Sequence, residues 1–396
     1  MSTSTCLTLM LLIGSVLGKG ESSSDDTLKH IGVFSDVVAH IKSEYVEEPD
    51  MKSVTLGALN GLLEAVDPFA SYLNADQYKE YLKNKDVQRG GVGLILSKKT
   101  GWLGVVAAVP GSPAAKAGFT TFDMIESIKG ISTRDMPLAY ADLLLQGESG
   151  TTVEVSVVHV RRTEPQTVKL IRDNMVLPPV ESRMLANQVG YINIDALSPA
   201  NVKEAAAAIQ KLQKDGAQKL VVDVRACALG SPDDGIATAN LFLKSGHITY
   251  LQGQRVPRQN FDADAAKAVT TLPVAILTNR STAGAAEILA AAVMENKRGE
   301  VVGERTYGDA AVRKAITMDD GAAIILSVAK YYTPNGKAIQ DTGVTPGNPV
   351  ADLDAQIEFD DNGEPIPESI DQQQSELKKK VEDDPVVKKA LEVLNK

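Results

Sequence analysis

Few side chains in this sequence suit nucleophilic chemistry, and none of them forms a ready set with a base. Ser281 and Thr282 stand in the run Asn279-Arg280-Ser281-Thr282-Ala283-Gly284-Ala285-Ala286-Glu287-Ile288, and Lys314 follows Arg313 further on. A hydroxyl is a weak nucleophile without an adjacent base, so a working pair would need Ser281 or Thr282 beside Lys314. Catalysis tolerates only about an ångström of misplacement. Cys227 is a further candidate, because a cysteine beside a base carries acyl transfer. The histidines, His30, His40, His159 and His247, are scattered, so Cys227 reads as a buried small hydrophobe. The same scatter offers no metal-ligand spacing. Neither metal nor cofactor is expected.

Backbone recognition is a second kind of chemistry on offer. Glycines let several N–H groups converge on a chain's terminal carboxylate, and Gly91-Val92-Gly93-Leu94 could form such a cradle. The strand that follows would pair with an extended peptide, and a helix from Leu138 to Leu145 would form the opposite wall. Leu94, Leu138 and Leu144 would then favour an apolar terminal residue. The alternative is a tight turn packed against the rest of the protein.

The elements that must position these residues follow from periodicity. From His30 to about Leu82 the apolar residues keep a helical period, with Pro49 ending the first helix and Asn74 capping a third. From Gly90 to about Asp173 short β-rich runs take over, interrupted by helices at Ser112 to Ala117 and Leu138 to Leu145. From Gly190 onward strands alternate with helices, which favours an α/β layered core. Beyond Ala351 the chain turns acidic, with an amphipathic helix at Val386 to Leu394.

At 396 residues, 43% of them hydrophobic and 23% charged, the chain can bury the cores of two or three modules. A net charge of −10 excludes the phosphate-neutralising surface of a nucleic-acid binder. The apolar run Cys6 to Gly18 is too short to span a bilayer and reads as a signal peptide, with a retained anchor as the alternative. A periplasmic or secreted location follows, with no membrane association beyond the leader. Cys227 would then have no disulfide partner in the chain. Homo-oligomerisation stays open.

Taken in order, these modules resemble the C-terminal processing peptidases, from about Gly32 to Pro346. The resemblance rests on Asp67-Pro68-x-x-Ser71-Tyr72, Gly190-Tyr191-Ile192, Val222-Asp223-Val224-Arg225, Val302-Gly303-Glu304-x-Thr306-Tyr307-Gly308 and Ala329-Lys330-Tyr331-Tyr332-Thr333-Pro334-Asn335-Gly336-Lys337. It implies a multidomain α+β fold. After a leader at 1–18 come an N-terminal helical segment at 27–84 and a PDZ domain at 85–175, a small β-barrel with two helices. An α/β peptidase-like core at 176–350, to which earlier strands could return, and an acidic tail at 351–396 complete the chain. The PDZ part resembles its class through the Gly91 to Leu94 opening, Gly111-Ser112-Pro113-Ala114 and Asp123-Met124-Ile125-Glu126.

Such a family implies a serine peptidase in which a neutral lysine takes the serine proton, a glutamine orients the lysine, and backbone N–H groups hold the oxyanion. Carried over residue by residue, the serine falls on Gly284, the lysine on Asp309 and the glutamine on Arg313. In the oxyanion region Leu229 replaces one glycine of a pair, leaving Gly230, and a Cβ there makes positive φ costly. Facing one cleft, Asp309 and Arg313 are expected to form a salt bridge, with a bound polar ligand as the alternative. The sequence therefore points to an exported, non-cleaving binder of C-terminal tails or unfolded polypeptides. The rival expectation is an active endopeptidase with relocated residues.

Overall fold

The computed structural model describes residues 22–84, 90–99, 101–134, 136–160, 162–352 and 381–395. The leader expected at 1–18 and the acidic stretch 353–380 lie outside the described residues.

The chain divides into two compact units, one ending at Leu59 and the other running from Asn60. The first holds α1 (Ser22–Glu44) and most of α2 (Met51–Glu64). Between them Asp50 caps α2: its Oδ1 accepts the N–H of Lys52 at 3.0 Å, and its Oδ2 the hydroxyl of Ser53 at 2.6 Å. Ile31, Phe34 and Val37, on the expected helical period, are exposed.

The second unit opens with the end of α2 and strand β1 (Ser71–Leu73), then helix α3 (Ala75–Asn84). Asn74 caps α3 as its sequence implies, accepting the Gln77 N–H at 3.0 Å while the Gln77 side chain accepts the Asn74 N–H at 3.1 Å. A β-rich module follows. Its strands are β2 (Leu94–Lys99), β3 (Trp102–Ala108), β4 (Met124–Ile128), β5 (Ile131–Ser132), β6 (Thr152–Val158) and β7 (Gln166–Ile171), with helices α4 (Pro113–Lys116) and α5 (Leu138–Leu145). They form a sheet ordered β2-β3-β4-β6-β7 with β5 on β4, so β2 is an edge strand. Val153, Val155 and Val157 alternate inward on β6 against Leu103, Ile125 and Ala141.

Two sheets build the rest. One uses β8 (Glu181–Leu185), β9 (Val189–Asn193), β10 (Lys219–Asp223), β13 (Val274–Thr278), β14 (Glu300–Gly303) and β17 (Asn348–Pro349), in the spatial order β17-β14-β13-β10-β9-β8. All its pairs are parallel except β8 on β9. Val222 sits between Ile192 and Ile276 in register, and all three join the core cluster that includes residues of α6 (Pro199–Lys214), α7 (Pro232–Asn240) and α8 (Ala285–Glu295). Val221, Ala275 and Leu277 belong to a separate cluster with Val386, Val387 and Ala390 of α9 (Pro385–Leu394). Burial on both faces is why these strands read as unbroken apolar runs.

The other sheet is antiparallel and departs from the expected simple alternation. It pairs β1 with β16 (Ala323–Tyr332), β16 with β11 (His247–Gln252), β11 with β12 (Gln259–Asp262), and β15 (Ala311–Thr317) with β16. Ser71 lies opposite Ile325. At the C-terminal end the amphipathic helix expected at Val386 to Leu394 is present as Pro385–Leu394. It covers one face of the parallel sheet, because its Val386, Val387 and Ala390 stripe finds an apolar surface there.

Candidate active site

The chain turns sharply where β13 gives way to α8. At the turn Gly284 has φ 62° and ψ −120°, a conformation that costs an L-residue of order 1–3 kcal/mol and costs glycine little. A strained strand-to-helix turn of this sort is the backbone of a nucleophile elbow, which lifts one side chain into a cleft. Here nothing is lifted. A Cβ built on Gly284 would stand 3.6 Å from the carbonyl oxygen of Asp309, in ordinary contact. Gly284 and Asp309, the positions on which the resemblance places nucleophile and base, are thus spatial neighbours.

Glu287 holds this arrangement together. Fully buried one turn into α8, its carboxyl accepts the N–H groups of Gly284 at 2.9 Å, Gly308 at 2.8 Å and Asp309 at 2.8 Å, and the hydroxyl of Thr306. Burial pushes its pKa up to about 7, while these donors pull it down. One side chain therefore fixes both the elbow and the Thr306-to-Asp309 turn.

Asp309 and Arg313 form the expected ion pair, with both side chains partly buried. The Arg313 guanidinium carbon also lies 4.2 Å from the centre of the Phe69 ring, within cation–π range. Phe69 meets Tyr307 edge-on at 6.2 Å, and the Tyr307 hydroxyl bonds to Ser97 of β2. The Asp309–Arg313 pair is thus tied to the Asp67-to-Ser71 segment through Phe69 and, through Tyr307 and Ser97, to the β-rich module. A cleft of about 620 Å³ opens beside the Thr306-Tyr307 turn, lined by Arg280, Arg305, Phe122 and Pro346 among others. Neither Gly284 nor Arg313 lines it.

The other candidate nucleophiles are engaged elsewhere. Thr282 is fully buried; its hydroxyl donates to the Val224 carbonyl at 2.8 Å and accepts the Asn279 N–H at 3.0 Å. Ser281 shares a hydroxyl hydrogen bond with Thr121. Lys314 is exposed and follows Arg313 on β15, where successive side chains take opposite faces. Cys227 is fully buried, and its thiol is pushed well above its ordinary pKa, first by burial and then by Asp195, so the thiolate needed for attack is suppressed.

In the oxyanion region Leu229 does not take positive φ, in keeping with its Cβ, whereas Gly230 does, at 148°. The Cβ of Leu229 therefore brings no backbone strain, and the Leu229 carbonyl accepts the Leu197 N–H at 2.8 Å. In the glycine loop, Gly91 exchanges two 2.9 Å hydrogen bonds with Asp173, which takes its N–H out of any carboxylate cradle. Val92 is buried in the module's core, and Gly93 has φ 79° with Ser112 Cβ only 2.2 Å from where its own Cβ would be. Leu94, Leu138 and Leu144 pack around the same core, Leu94 and Leu144 half-buried.

Residues 188–350 match peptidase family S41. A carboxy-terminal processing protease of Bacillus subtilis (strain 168) is 31% identical over 336 residues, 84% of this chain and 71% of that one. The chain belongs to peptidase family S41. A second S41 relative, a carboxyl-terminal-processing protease of Synechocystis sp., is 32% identical over 314 residues, 77% of this chain and 73% of its own. The fold is shared with the photosystem II D1 C-terminal processing protease, at a TM-score of 0.66 and 26% identity over 79% of this chain and 85% of that one.

Within this S41 chain, sequence reasoning passed over Glu287, Phe69 and the role of Arg225. Glu287 had a signal in its spacing, an acid three residues past the turn glycine, as in a capping box. Arg225 had none. Its guanidinium bonds Asp223 at 2.7 and 3.0 Å, Asp352 at 2.9 Å and Asp384 at 2.7 Å, and Asp384 in turn caps α9 through the Val386 N–H at 2.8 Å. Burial alone would raise Asp223, but Arg225 and the Tyr191 hydroxyl hold its carboxyl below the usual range.

Proposed function

We propose that this member of the family binds protein C-terminal tails or unfolded polypeptide without cleaving them, using the module at residues 90–173 as a PDZ domain. The observation that carries this reading is the elbow at Gly284, whose nucleophile-bearing backbone is kept with no side chain on it. Asp309 beside it is paired with Arg313, so no neutral amine stands there as a base, and Gly284 offers no hydroxyl to deprotonate. The hydroxyls a relocated mechanism would need, Thr282 and Ser281, are hydrogen-bonded to Val224 and Thr121, and Lys314 is exposed. The tail as ligand is supported by the relatives' names, which describe processing of carboxyl termini. Export is part of the proposal and rests on the Cys6-to-Gly18 run.

The test is to incubate the purified mature chain with unstructured proteins that end in apolar residues. Complexes without new fragments are expected. Fragments that disappear in Ser281→Ala or Thr282→Ala would overturn the non-cleaving reading in favour of relocated catalysis.

A further inference from the structure

An added peptide strand would have to pair with the free edge of β2, and part of that edge is already taken. The Lys98 N–H donates to the Pro68 carbonyl at 3.3 Å, so the chain's own segment lies along β2 at its far end. Next to it Phe69, only 5% exposed, packs into the module's core cluster with Leu96 of β2 and with Leu138, Ala141 and Leu145 of α5. Those two elements are the walls a peptide would lie between. The Ser71 hydroxyl accepts the Ala139 N–H at 3.1 Å, fastening the segment to the start of α5 as well. Asp67 fixes its root by accepting the Phe69 N–H at 2.9 Å and the Ser327 N–H of β16 at 3.2 Å.

We infer that residues Asp67–Ser71 are a built-in competitor for the outer half of the peptide groove, with Phe69 as the occupying side chain and Arg313 as its outside anchor. The inference rests on the tail-binding reading. A short tail reaches Leu94 and Leu144 at the glycine-loop end without meeting Phe69. A longer tail has to displace Phe69 to gain the rest of the β2 edge. Displacement also removes the ring over which Arg313 sits at 4.2 Å, so groove occupancy and the Asp309–Arg313 pocket are coupled. Coupling of this kind is reciprocal: loosening Arg313 favours the long tail.

Two fluorescein-labelled peptides, one short and one long, with the same apolar carboxyl end, separate the possibilities by fluorescence polarisation on the full chain. The native protein is expected to bind both with similar affinity. Phe69→Ala is expected to tighten the long peptide by at least about tenfold while leaving the short one unchanged. Arg313→Gln, which spares the module's core, is expected to give a smaller shift in the same direction and keeps the test alive where Phe69→Ala misfolds. With the long peptide in excess on the native chain, amide exchange at residues 67–73 is expected to rise. Binding of both peptides with no long-peptide gain in either variant and no exchange change overturns the competitor but leaves tail binding intact. No binding of either peptide to any of the proteins overturns tail binding itself.

Discussion

Gly284 and Asp309 are spatial neighbours, a Cβ on the one standing 3.6 Å from the carbonyl oxygen of the other, in ordinary contact. A small side chain added at Gly284 would therefore lie beside the Asp309 backbone.

Restoring the peptidase chemistry in part is expected to fail. Gly284→Ser with Asp309→Lys should fold, losing about 1–3 kcal/mol to strain at the elbow, and should release no fragment from an apolar-tailed substrate in a gel assay. The new lysine would stand beside Arg313, a like charge in a half-buried place, in the position where an orienting glutamine is expected. Adding Arg313→Gln is the step expected to allow any turnover. Cleavage by the double variant alone would show that Arg313 is harmless to a base at 309.

The Asp309–Arg313 pair is partly exposed, with side chains 25% and 28% accessible, so its coupling should be small. A double-mutant cycle with Asp309→Asn and Arg313→Gln, read by urea denaturation, should give an interaction on the order of 1 kcal/mol.

Glu287 predicts a pH dependence. Its folded pKa of about 7 lies above the ordinary 4.5, so the folded chain holds the proton more tightly than the unfolded one. The contribution is complete below pH 4.5 and is lost as pH rises through 7. Across that window stability should fall by about 3 kcal/mol more in the native protein than in Glu287→Gln. Parallel curves for the two proteins would show that the four donors outweigh burial.

Arg225 neutralises three carboxylates at once. Arg225→Met leaves Asp223, Asp352 and Asp384 facing one another, and should cost about 3–5 kcal/mol in denaturant unfolding. Proteolysis at the C-terminal end should rise in step, because Asp384 caps the helix at Pro385–Leu394.

Cys227 should be inert. Cys227 in the native protein, followed separately from Cys6 by peptide mapping, should label with a thiol reagent no faster than the chain unfolds, since its side chain is fully buried and its thiol held protonated. Rapid labelling with burst kinetics would reopen it as a nucleophile.

The parts of the fold legible in the sequence were those with strong local periodicity. β13 is a two-faced apolar run, and α5 falls where its Leu138-to-Leu145 pattern puts it. The antiparallel sheet was not legible, because β16 draws partners from both sides of the β-rich module and no local pattern records which distant strand will come. At the candidate site Gly284 and Asp309, which the resemblance singled out, are neighbours in space. Phe69 carried no signal of its own, because its burial depends on residues of the β-rich module that follow it in the chain.

The pairing of Ser71 with Ile325 has a bearing on how the molecule comes into being. These partners are about 250 residues apart in the chain, and closing so long a loop is slow compared with forming the local hairpins of the β-rich module. The module can therefore be complete while β1 still waits for a strand not yet delivered. During that interval Phe69 is tethered only a short way from the Leu96 and Leu138 cluster in which it will be buried. Seating it there would hold Ser71 beside the start of α5, and so give β16 a prepared edge on which to dock when it arrives.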